Sequence, residues 1–404
     1  MNENHNQKSD YKTIILLSIG FGLLNLDRWV IAPLFPVMKE DLGFSYQDLG
    51  MIIGATALTW GAASFFMGSL SDKIGRRKIL VPSLILLSLF SGVTGLAGGL
   101  MGMIFLRGIL GLFEGAYVPT AFAAVKDASK PSQTGLNMGI LGFGAALAMG
   151  LAPIVATQLL PMVPSWHWVF VMVSIPGLVV AYLLYRVVKD RDYSTETVGN
   201  QVKSKSSFKD VIKYKNIKVA VLAMCGVMAC LFVLGAMLPN YLTDHLKLDL
   251  EQMGFIAAGP GFGGAAGALL VPGLSDRFGR KPVIIIALIL AAVLVYIFGG
   301  IGAEPVWLFA TLFGAAGLAT GSLTMLDGPI ATETVPPAMI GAATGVIIGV
   351  GEIFGGGIAP IISGTIAENY GISSIPYVAL VGLIWAAGCC LFLNETAPVK
   401  LNNK

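Results

Sequence analysis

Five ionisable residues interrupt long apolar stretches of this 404-residue sequence: Asp27, Arg28, Arg107, Glu114 and Glu352. A charge at the centre of a bilayer costs about 2.5–3.5 kcal/mol on insertion scales, so a residue that carries this cost is a candidate for function. The planar fork of an arginine suits a carboxylate. A buried carboxylate without a counter-ion tends to take up a proton. The acids among these residues are therefore candidates for proton coupling.

The spacing of four of these residues suggests how they face one another. Arg107 and Glu114 are seven residues apart, nearly two helical turns, so they project from one face of a helix. Asp27 and Arg28 are neighbours and diverge by about 100°, so one can point to a helix partner while the other faces a cavity. Three acids against two arginines leave one acid unmatched, as a proton-coupled carrier requires. The alternative is that static ion pairs hold the N-terminal helices together.

Glu352 and several uncharged residues are less specific candidates. Glu352 stands in the glycine-rich stretch 351–357, where glycines permit close helix contact, so a structural role and a proton-coupling role are both open. Packing or an interfacial position is the alternative for each of the polar and aromatic candidates for a cavity: Trp29, Tyr117, Asn137 and Asn240.

The elements that carry these residues are predicted to be membrane helices. Hydrophobic residues make up 55% of the chain and charged residues 12%, against about 25% charged in a soluble domain. Stretches of about 20 apolar residues suffice to cross the bilayer as helices, and barrel strands would be shorter and would alternate. We count twelve such stretches: 13–37, 47–70, 79–99, 102–125, 135–160, 167–187, 216–243, 250–273, 282–302, 305–326, 339–363 and 374–393.

The distribution of Lys and Arg predicts the orientation and the domain division. Lys39 and Lys247 fall in odd-numbered loops and two arginines fall inside helices, whereas the other 22 basic residues lie on the side of the even-numbered loops and the termini. The positive-inside rule then places both termini in the cytoplasm. We expect an N-terminal six-helix bundle over 1–187, a basic cytoplasmic linker over 188–215 and a C-terminal six-helix bundle over 216–404. The positive charge of the linker would help to set the membrane topology and would attract anionic lipid.

Several function classes have no support in the sequence. No basic run alternates with aromatic residues, so we expect no nucleic-acid partner. No phosphate-binding loop followed by Lys and Ser or Thr is present, so we expect neither ATP-driven transport nor an enzyme. The four cysteines show no metal-ligand spacing and no disulfide pattern, so we expect no metal and no cofactor.

One short basic signature occurs twice, about two hundred residues apart. The first copy covers 68–78 and the second 273–281, each between two long apolar stretches. Matching loops at equivalent places in two six-helix halves indicate an internal duplication. The sequence here resembles the major facilitator superfamily of secondary transporters over essentially its whole length, through that superfamily's loop signature between helices 2 and 3 and between helices 8 and 9. The second copy has Pro272 where the pattern has Gly, so we expect a looser turn there.

The resemblance implies roles for the charges in and near these loops. It implies two charge networks between helix ends, each with a conformational role, which would latch the cytoplasmic side in the outward-facing state. Their members are Asp72, Arg76 and Asp127 in the first half, and Asp276, Arg280 and Glu333 in the second.

The charged residues of helices 1 and 4 narrow the resemblance. Asp27-Arg28 together with 107–115 is similar to the anion:cation symporter branch, which includes sugar-acid/proton symporters. That branch implies Arg28 as a carboxylate ligand and Asp27 and Glu114 as protonatable coupling residues, with Arg107 as their charge partner. Tyr117, Asn137 and Asn240 are kept as further substrate ligands and Glu352 as a further coupling residue.

These expectations define a carrier and one alternative. We expect a proton-gradient-driven symporter of a small organic anion, working as a monomer by alternating access in the lipid bilayer of a bacterial cytoplasmic membrane. The alternative is a proton antiporter that exports drugs or metabolites. Helix 5 around Pro153 only loosely resembles the exporter motif, which weighs against that alternative.

Overall fold

The protein is described here from a computed structural model that covers residues 9–130, 133–188, 208–336 and 339–397. Within these ranges the chain forms helices and turns and no strand. Twelve helical spans are long and apolar enough to cross a membrane, which confirms the predicted all-α polytopic fold. Numbered in chain order, α1–α12 are Tyr11–Leu42, Tyr46–Ile74, Arg77–Thr94, Leu100–Ala128, Thr134–Met162, Trp166–Val187, Lys215–His245, Leu250–Phe278, Arg280–Gly300, Pro305–Thr334, Ile340–Tyr370 and Ile372–Cys390.

The first span is longer than predicted and is broken in its middle. It consists of Tyr11–Trp29 and Ile31–Leu42, which meet at Val30. Pro33 has no N–H to bond the carbonyl four residues earlier, and its ring crowds that carbonyl, so the helix cannot run evenly through this point. The break places Asp27 and Arg28 in the last turn of the first segment, close to main-chain carbonyls that need other partners.

Two other spans contain wide helical turns. In α11, Glu352–Ile358 is π-helical and joins Ile340–Gly351 to Ala359–Tyr370. In α7, the π-helical turn Tyr241–His245 follows Lys215–Asn240. Wide turns of this kind occur often at functional sites.

The two copies of the basic signature form nearly identical turns. Gly75 ends α2 with φ 105° and ψ 143°, and Gly279 ends α8 with φ 100° and ψ 150°. Only glycine adopts such angles readily, which explains its place in both copies. The prediction of a looser second turn is wrong, because Pro272 lies within α8, before the turn begins.

The two groups of six helices pack tightly at one end. An even number of spans leaves residues 9 and 397 on one side, here called the terminus side, and the opposite side is called the far side. Towards the far side, a Cβ added at Gly261 of α8 would lie 2.2 Å from the amide nitrogen of Gly150 of α5, and one at Gly50 of α2 would lie 2.3 Å from the carbonyl oxygen of Pro360 of α11. These backbones touch directly because neither glycine carries a side chain.

The same helices diverge towards the terminus side. A Cβ added at Gly139 or Gly142 of α5, at Gly273 of α8 or at Gly345 of α11 would meet no atom within 4 Å. The helices that touch near the far side therefore leave open space at their other ends. The two groups of helices are therefore in direct backbone contact towards the far side, whereas these four glycines near the terminus side face open space.

Candidate substrate and proton site

The guanidinium of Arg28 lies between the two six-helix groups. Its Nη2 donates to Oε1 of Glu352, which begins the π-helical stretch of α11. Its Nη1 lies 3.7 Å from Oε2 of Glu114 on α4. One arginine therefore faces one carboxylate from each group of helices, since α1 and α4 belong to the first and α11 to the second.

The predicted acid Glu114 is sealed from solvent. Its side chain is 0% exposed, and neither carboxylate oxygen has a hydrogen-bond partner among the described residues. The nearby Arg28 compensates its charge only through a long ion pair. An unsatisfied buried carboxylate is costly, and protonation relieves that cost.

Asp27 points away from Arg28, as its position next to it in the helix requires. Its carboxylate lies beside the hydroxyl of Ser91 on α3. The Oδ1 atom has no hydrogen-bond partner in the described part of the chain. Asp27 is 1% exposed, so it belongs to the interior of the first helix group.

Arg107 holds the broken end of the first helical segment. Its Nη1 donates to the main-chain carbonyls of Asp27 at 3.1 Å and of Arg28 at 3.5 Å. Its guanidinium also lies over the ring of Phe170, 5.3 Å from the centroid. Arg107 therefore supplies donors and positive charge at the C-terminal end of a helix, where both are favourable.

Aromatic rings flank the guanidinium of Arg28. The ring of Phe232 on α7 lies 5.1 Å from Cζ and the ring of Trp60 on α2 lies 6.0 Å away. Trp29 packs against Phe232, with ring centroids 5.3 Å apart. Such rings stabilise a cation and offer apolar faces to the body of an organic anion.

Arg28 is also the most accessible of the five membrane charges. Its side chain is 11% exposed, whereas Asp27, Arg107, Glu114 and Glu352 are each at most 3% exposed as residues. Of these five groups, the guanidinium of Arg28 is therefore the most available to a solute. The arrangement can bind an anion at Arg28 and can hold protons on the buried acids.

The comparison with known families settles the class of the protein. The family model described as Major Facilitator Superfamily matches residues 17–241 and 220–404, one match for each half. The chain belongs to the major facilitator superfamily.

Relatives of this superfamily member are transporters of organic acids. A hexuronate transporter of Bacillus subtilis is 28% identical over 78% of this chain and 77% of its own length. A D-galactonate transporter of Escherichia coli is 23% identical over 96% of each chain. Among solved structures, a bacterial homologue of the human lysosomal transporter Spinster shares the fold, with a TM-score of 0.77 and 17% identity over 94% of this chain and 95% of that one.

Three uncharged residues predicted to bind substrate make no hydrogen bond to the Arg28 cluster within the described part of this superfamily member. Tyr117 is fully buried between α4 and α1, where its hydroxyl donates to the carbonyl of Leu17 at 3.2 Å. Asn137 donates to the hydroxyl of Ser129 at 2.8 Å. Asn240 is buried in α7, and neither of its side-chain polar atoms has a hydrogen-bond partner among the described residues.

One pair of the first predicted charge network and all members of the second meet near the two basic turns. In the first half, Nε of Arg76 lies 3.2 Å from Asp127, while the side chain of Asp72 lies outside the described part of the structure. In the second half, Arg280 pairs with Asp276 at 2.6 Å and with Glu333 at 2.8 Å. Each network lies within one half, and its role as a latch remains a prediction.

The sequence did not reveal that the chain's C-terminal segment reaches the second network. Oε1 of Glu395 accepts the main-chain N–H groups of Arg280, Thr396 and Ala397, and Oε2 accepts that of Lys281. Arg280 and Lys281 begin α9, where N–H groups lack partners within the helix. Partial burial acts to raise the pKa of Glu395, but the N–H donors of Ala397, Arg280, Lys281 and Thr396 outweigh it and lower that pKa.

A second missed cluster joins the two halves on the far side. Nζ of Lys39 on α1 lies 3.0 Å from Oδ2 of Asp244 on α7, and the hydroxyl of Tyr46 donates to the same oxygen at 2.6 Å. Oε2 of Glu368 on α11 accepts the main-chain N–H of Tyr46 at 3.0 Å. The sequence did contain a sign of this contact, since Lys39 is one of only two basic residues in the predicted odd-numbered loops.

Proposed function

We propose that this superfamily member is a proton-coupled symporter of a small organic anion, in which Arg28 binds the substrate carboxylate. The observation that carries the proposal is the position of Arg28. It lies between the two halves, near the middle of its span, and it is the most accessible of the five charges Asp27, Arg28, Arg107, Glu114 and Glu352. The names of the organic-acid transporters among its relatives support the same substrate class.

The buried acids supply the proton coupling. Arg28 already faces Glu352 and Glu114, so entry of an anion adds a further negative charge beside one guanidinium, a cost that a proton on one of the buried acids removes. Proton loss on the other side then weakens substrate binding and favours release. Binding of proton and anion is therefore cooperative, as symport down a proton gradient requires.

The opening described above represents one end of the transport cycle. If the termini are cytoplasmic, the structure is inward-facing, with the far-side contacts of Lys39 and Asp244 closed. Alternating access would open those contacts and close the space around Gly142 and Gly273.

Aromatic rings restrict the rest of the substrate. Trp60 and Phe232 flank the guanidinium from opposite halves, so the body of the anion lies against ring faces. A sugar acid or an aromatic acid presents both a carboxylate and an apolar face to such a site. We therefore place the substrate among compact monocarboxylates with a ring or a short polyol chain.

The test uses purified protein in proteoliposomes. D-glucuronate, D-galactonate, 4-hydroxybenzoate and the cation ethidium are first compared by thermal shift, since a bound ligand raises the melting temperature. The best stabiliser is then measured in uptake, with and without an inwardly directed proton gradient. We expect a carboxylate to be chosen, the gradient to stimulate its uptake, and Arg28→Ala to abolish that uptake.

The matched control is Arg277→Ala, which removes an exposed arginine of the second basic loop. Normal transport by Arg28→Ala would refute the carboxylate site. Stabilisation by ethidium alone, with uptake into vesicles driven by an acidic interior, would favour the antiporter alternative.

A further inference from the structure

Glu352 already satisfies the anion site that the proposed function assigns to substrate. Its Oε1 accepts from Nη2 of Arg28, while Glu114 stands at 3.7 Å from Nη1, beyond the range of a good hydrogen bond. Glu352 is 3% exposed and comes from the other half of the protein, 324 residues away in the chain. A carboxylate of the protein itself therefore holds the Arg28 fork in the substrate-free structure.

The surroundings of Glu352 fix it in this position. A Cβ added at Gly356 would lie 3.2 Å both from the Glu352 carboxyl carbon and from the ring of Phe232, so the carboxylate and the ring both border the space that this glycine leaves. Glu352 is the first residue of the π-helical stretch of α11, and its side chain reaches Arg28 of α1. The charged groups that face it are Arg28 from α1 and Glu114 from α4.

We propose that Glu352 is an internal substitute for the substrate carboxylate: it occupies Arg28 when the carrier is empty and is displaced when substrate binds. This inference rests on the proposed function, because it names what the anion must replace. Displacement exchanges one carboxylate for another at Arg28, and Glu352 takes up one proton as it leaves. The charge around Arg28 is then the same in the empty and the loaded carrier.

This exchange has a consequence for the return of the empty carrier. Without Glu352, Arg28 would keep only Glu114 among the described acids, at 3.7 Å and beyond the range of a good hydrogen bond. A charge so weakly compensated cannot be enclosed in a dry site at low cost. With Glu352 bound to Arg28, the empty protein can close around a compensated charge and reorient. Net uptake needs that step, whereas exchange of internal for external substrate does not.

The substitution Glu352→Gln separates these two roles. Removal of the competing carboxylate leaves Arg28 always free to bind substrate. The apparent Kd for a carboxylate should then fall about fivefold or more, because it no longer includes the fraction of protein in which Glu352 blocks Arg28. Exchange of labelled for unlabelled substrate continues, while net uptake falls at least about tenfold. Binding of carboxylate also becomes less dependent on pH, because one displaced acid no longer needs a proton.

Binding is measured by titration calorimetry with D-glucuronate and with acetate, the smallest carboxylate probe. Wild type, Glu352→Gln and Glu352→Asp are compared, with Glu304→Gln as the control that removes an exposed far-side acid. Glu352→Asp keeps the charge on a shorter side chain, so we expect its Kd to lie between those of wild type and Glu352→Gln. This second variant keeps the inference testable even if Glu352→Gln does not fold. The control leaves the Kd, exchange and net uptake unchanged.

The outcomes distinguish this inference from the proposed function. If Glu352→Gln binds both carboxylates no more tightly than wild type, or binds neither, the inference is overturned. If Glu352→Gln binds a carboxylate that wild type does not measurably bind, Glu352 is confirmed as a competitor, while symport of that carboxylate is excluded. Net uptake by Glu352→Gln at the wild-type rate would remove the role in the return step.

Discussion

Nη1 of Arg107 donates to the main-chain carbonyl of Asp27 at 3.1 Å, whereas its Nε and Nη2 have no hydrogen-bond partner among the described residues. This arginine therefore acts on Asp27 through the backbone. It closes the broken end of the first segment of α1 and supplies positive charge close to two buried acids, Asp27 and Glu114. The finding separates a positioning arginine, Arg107, from a binding arginine, Arg28.

Replacement of Arg107 should lower the stability of the fold more than it lowers the affinity for substrate. Arg107→Ala leaves buried acids without their counter-charge, a change that costs about 3–5 kcal/mol in comparable sites. We expect the melting temperature in detergent to fall by several degrees. Arg107→Lys keeps the charge but not the forked guanidinium, so its melting temperature should lie between those of wild type and Arg107→Ala. Arg186→Lys, at an exposed site at the end of α6, serves as the control and should melt as wild type.

Glu114→Gln should uncouple transport from the proton gradient. The variant retains the size and polarity of the side chain but cannot lose a proton, so the carrier binds and exchanges substrate without concentrating it. The measurement compares counterflow with uptake driven by a pH gradient in proteoliposomes. Glu40→Gln, an exposed far-side change, is the control. Normal gradient-driven accumulation by Glu114→Gln would remove Glu114 from the coupling mechanism.

Loss of the far-side ion pair should favour opening on that side. Asp244→Asn removes the partner of both Lys39 and Tyr46. A partly exposed pair of this kind contributes about 0.2–1 kcal/mol, so the population open on the far side should rise by at most about fivefold. Spin labels at positions 40 and 251, in a background without native cysteines, would report this change as a longer distance. The exchanged pair Lys39→Asp with Asp244→Lys should restore the wild-type distribution, and its failure to do so would count against the ion pair.

A methyl group at the glycine contact should act in the same direction and more strongly. A Cβ at Gly261 would lie 2.2 Å from the backbone of α5, so Gly261→Ala forces α8 and α5 apart near the far side. The same pair of labels should report separation. Gly273→Ala, on the same helix but in open space, is the matched control and should leave the distance in substrate-free protein unchanged. Equal distances in the two variants would contradict the described closure.

The sequence was sufficient for the fold because hydropathy and positive charge act on each helix separately. The approximate spans and the duplicated turns at Gly75 and Gly279 follow from these local rules. Asp27, Arg107 and Glu114 could be recognised as charges within the membrane helices, because a charge in an apolar stretch is conspicuous in the sequence, and all three are buried. The break at Val30 extended α1 beyond the prediction, because a proline ends one segment but permits another to follow.

Contacts between the halves could not be predicted in the same way. The pairing of Arg28 with Glu352 depends on how α11, whose π-helical stretch begins at Glu352, is rotated about its axis. Tyr117 was predicted to face a cavity, but its hydroxyl donates to a carbonyl of the neighbouring helix. The sequence of an apolar helix does not distinguish these two orientations. The Lys39 and Asp244 pair joins residues 205 apart, so only the packed structure brings them together.

Glu395→Gln should destabilise the protein in a pH-dependent way. The carboxylate accepts four main-chain N–H groups, and its pKa is lower in the folded protein than the ordinary value. A lowered pKa contributes stability above the unfolded-state value of about 4.3, and that contribution is lost as pH falls through the folded-state value. Wild type should therefore melt above the variant at pH 7 and at pH 5.5, and the difference should shrink below about pH 4. A difference in melting temperature that is equal at pH 7 and pH 3.5 would show that the charge of Glu395 is irrelevant.

The π-helical stretch Glu352–Ile358 gives α11 one more consequence. Wide turns hold an additional residue compared with α-helical turns, and each residue of an α-helix corresponds to about 100° of rotation and 1.5 Å of rise. Conversion of these turns to α-helix would rotate Glu352 away from Arg28 while Ala359–Tyr370 stayed packed through Gly364 against Tyr46. A change of register in this stretch would therefore rotate the part of α11 that carries Glu352, while the Ala359–Tyr370 part stays in contact with the opposite half of the protein.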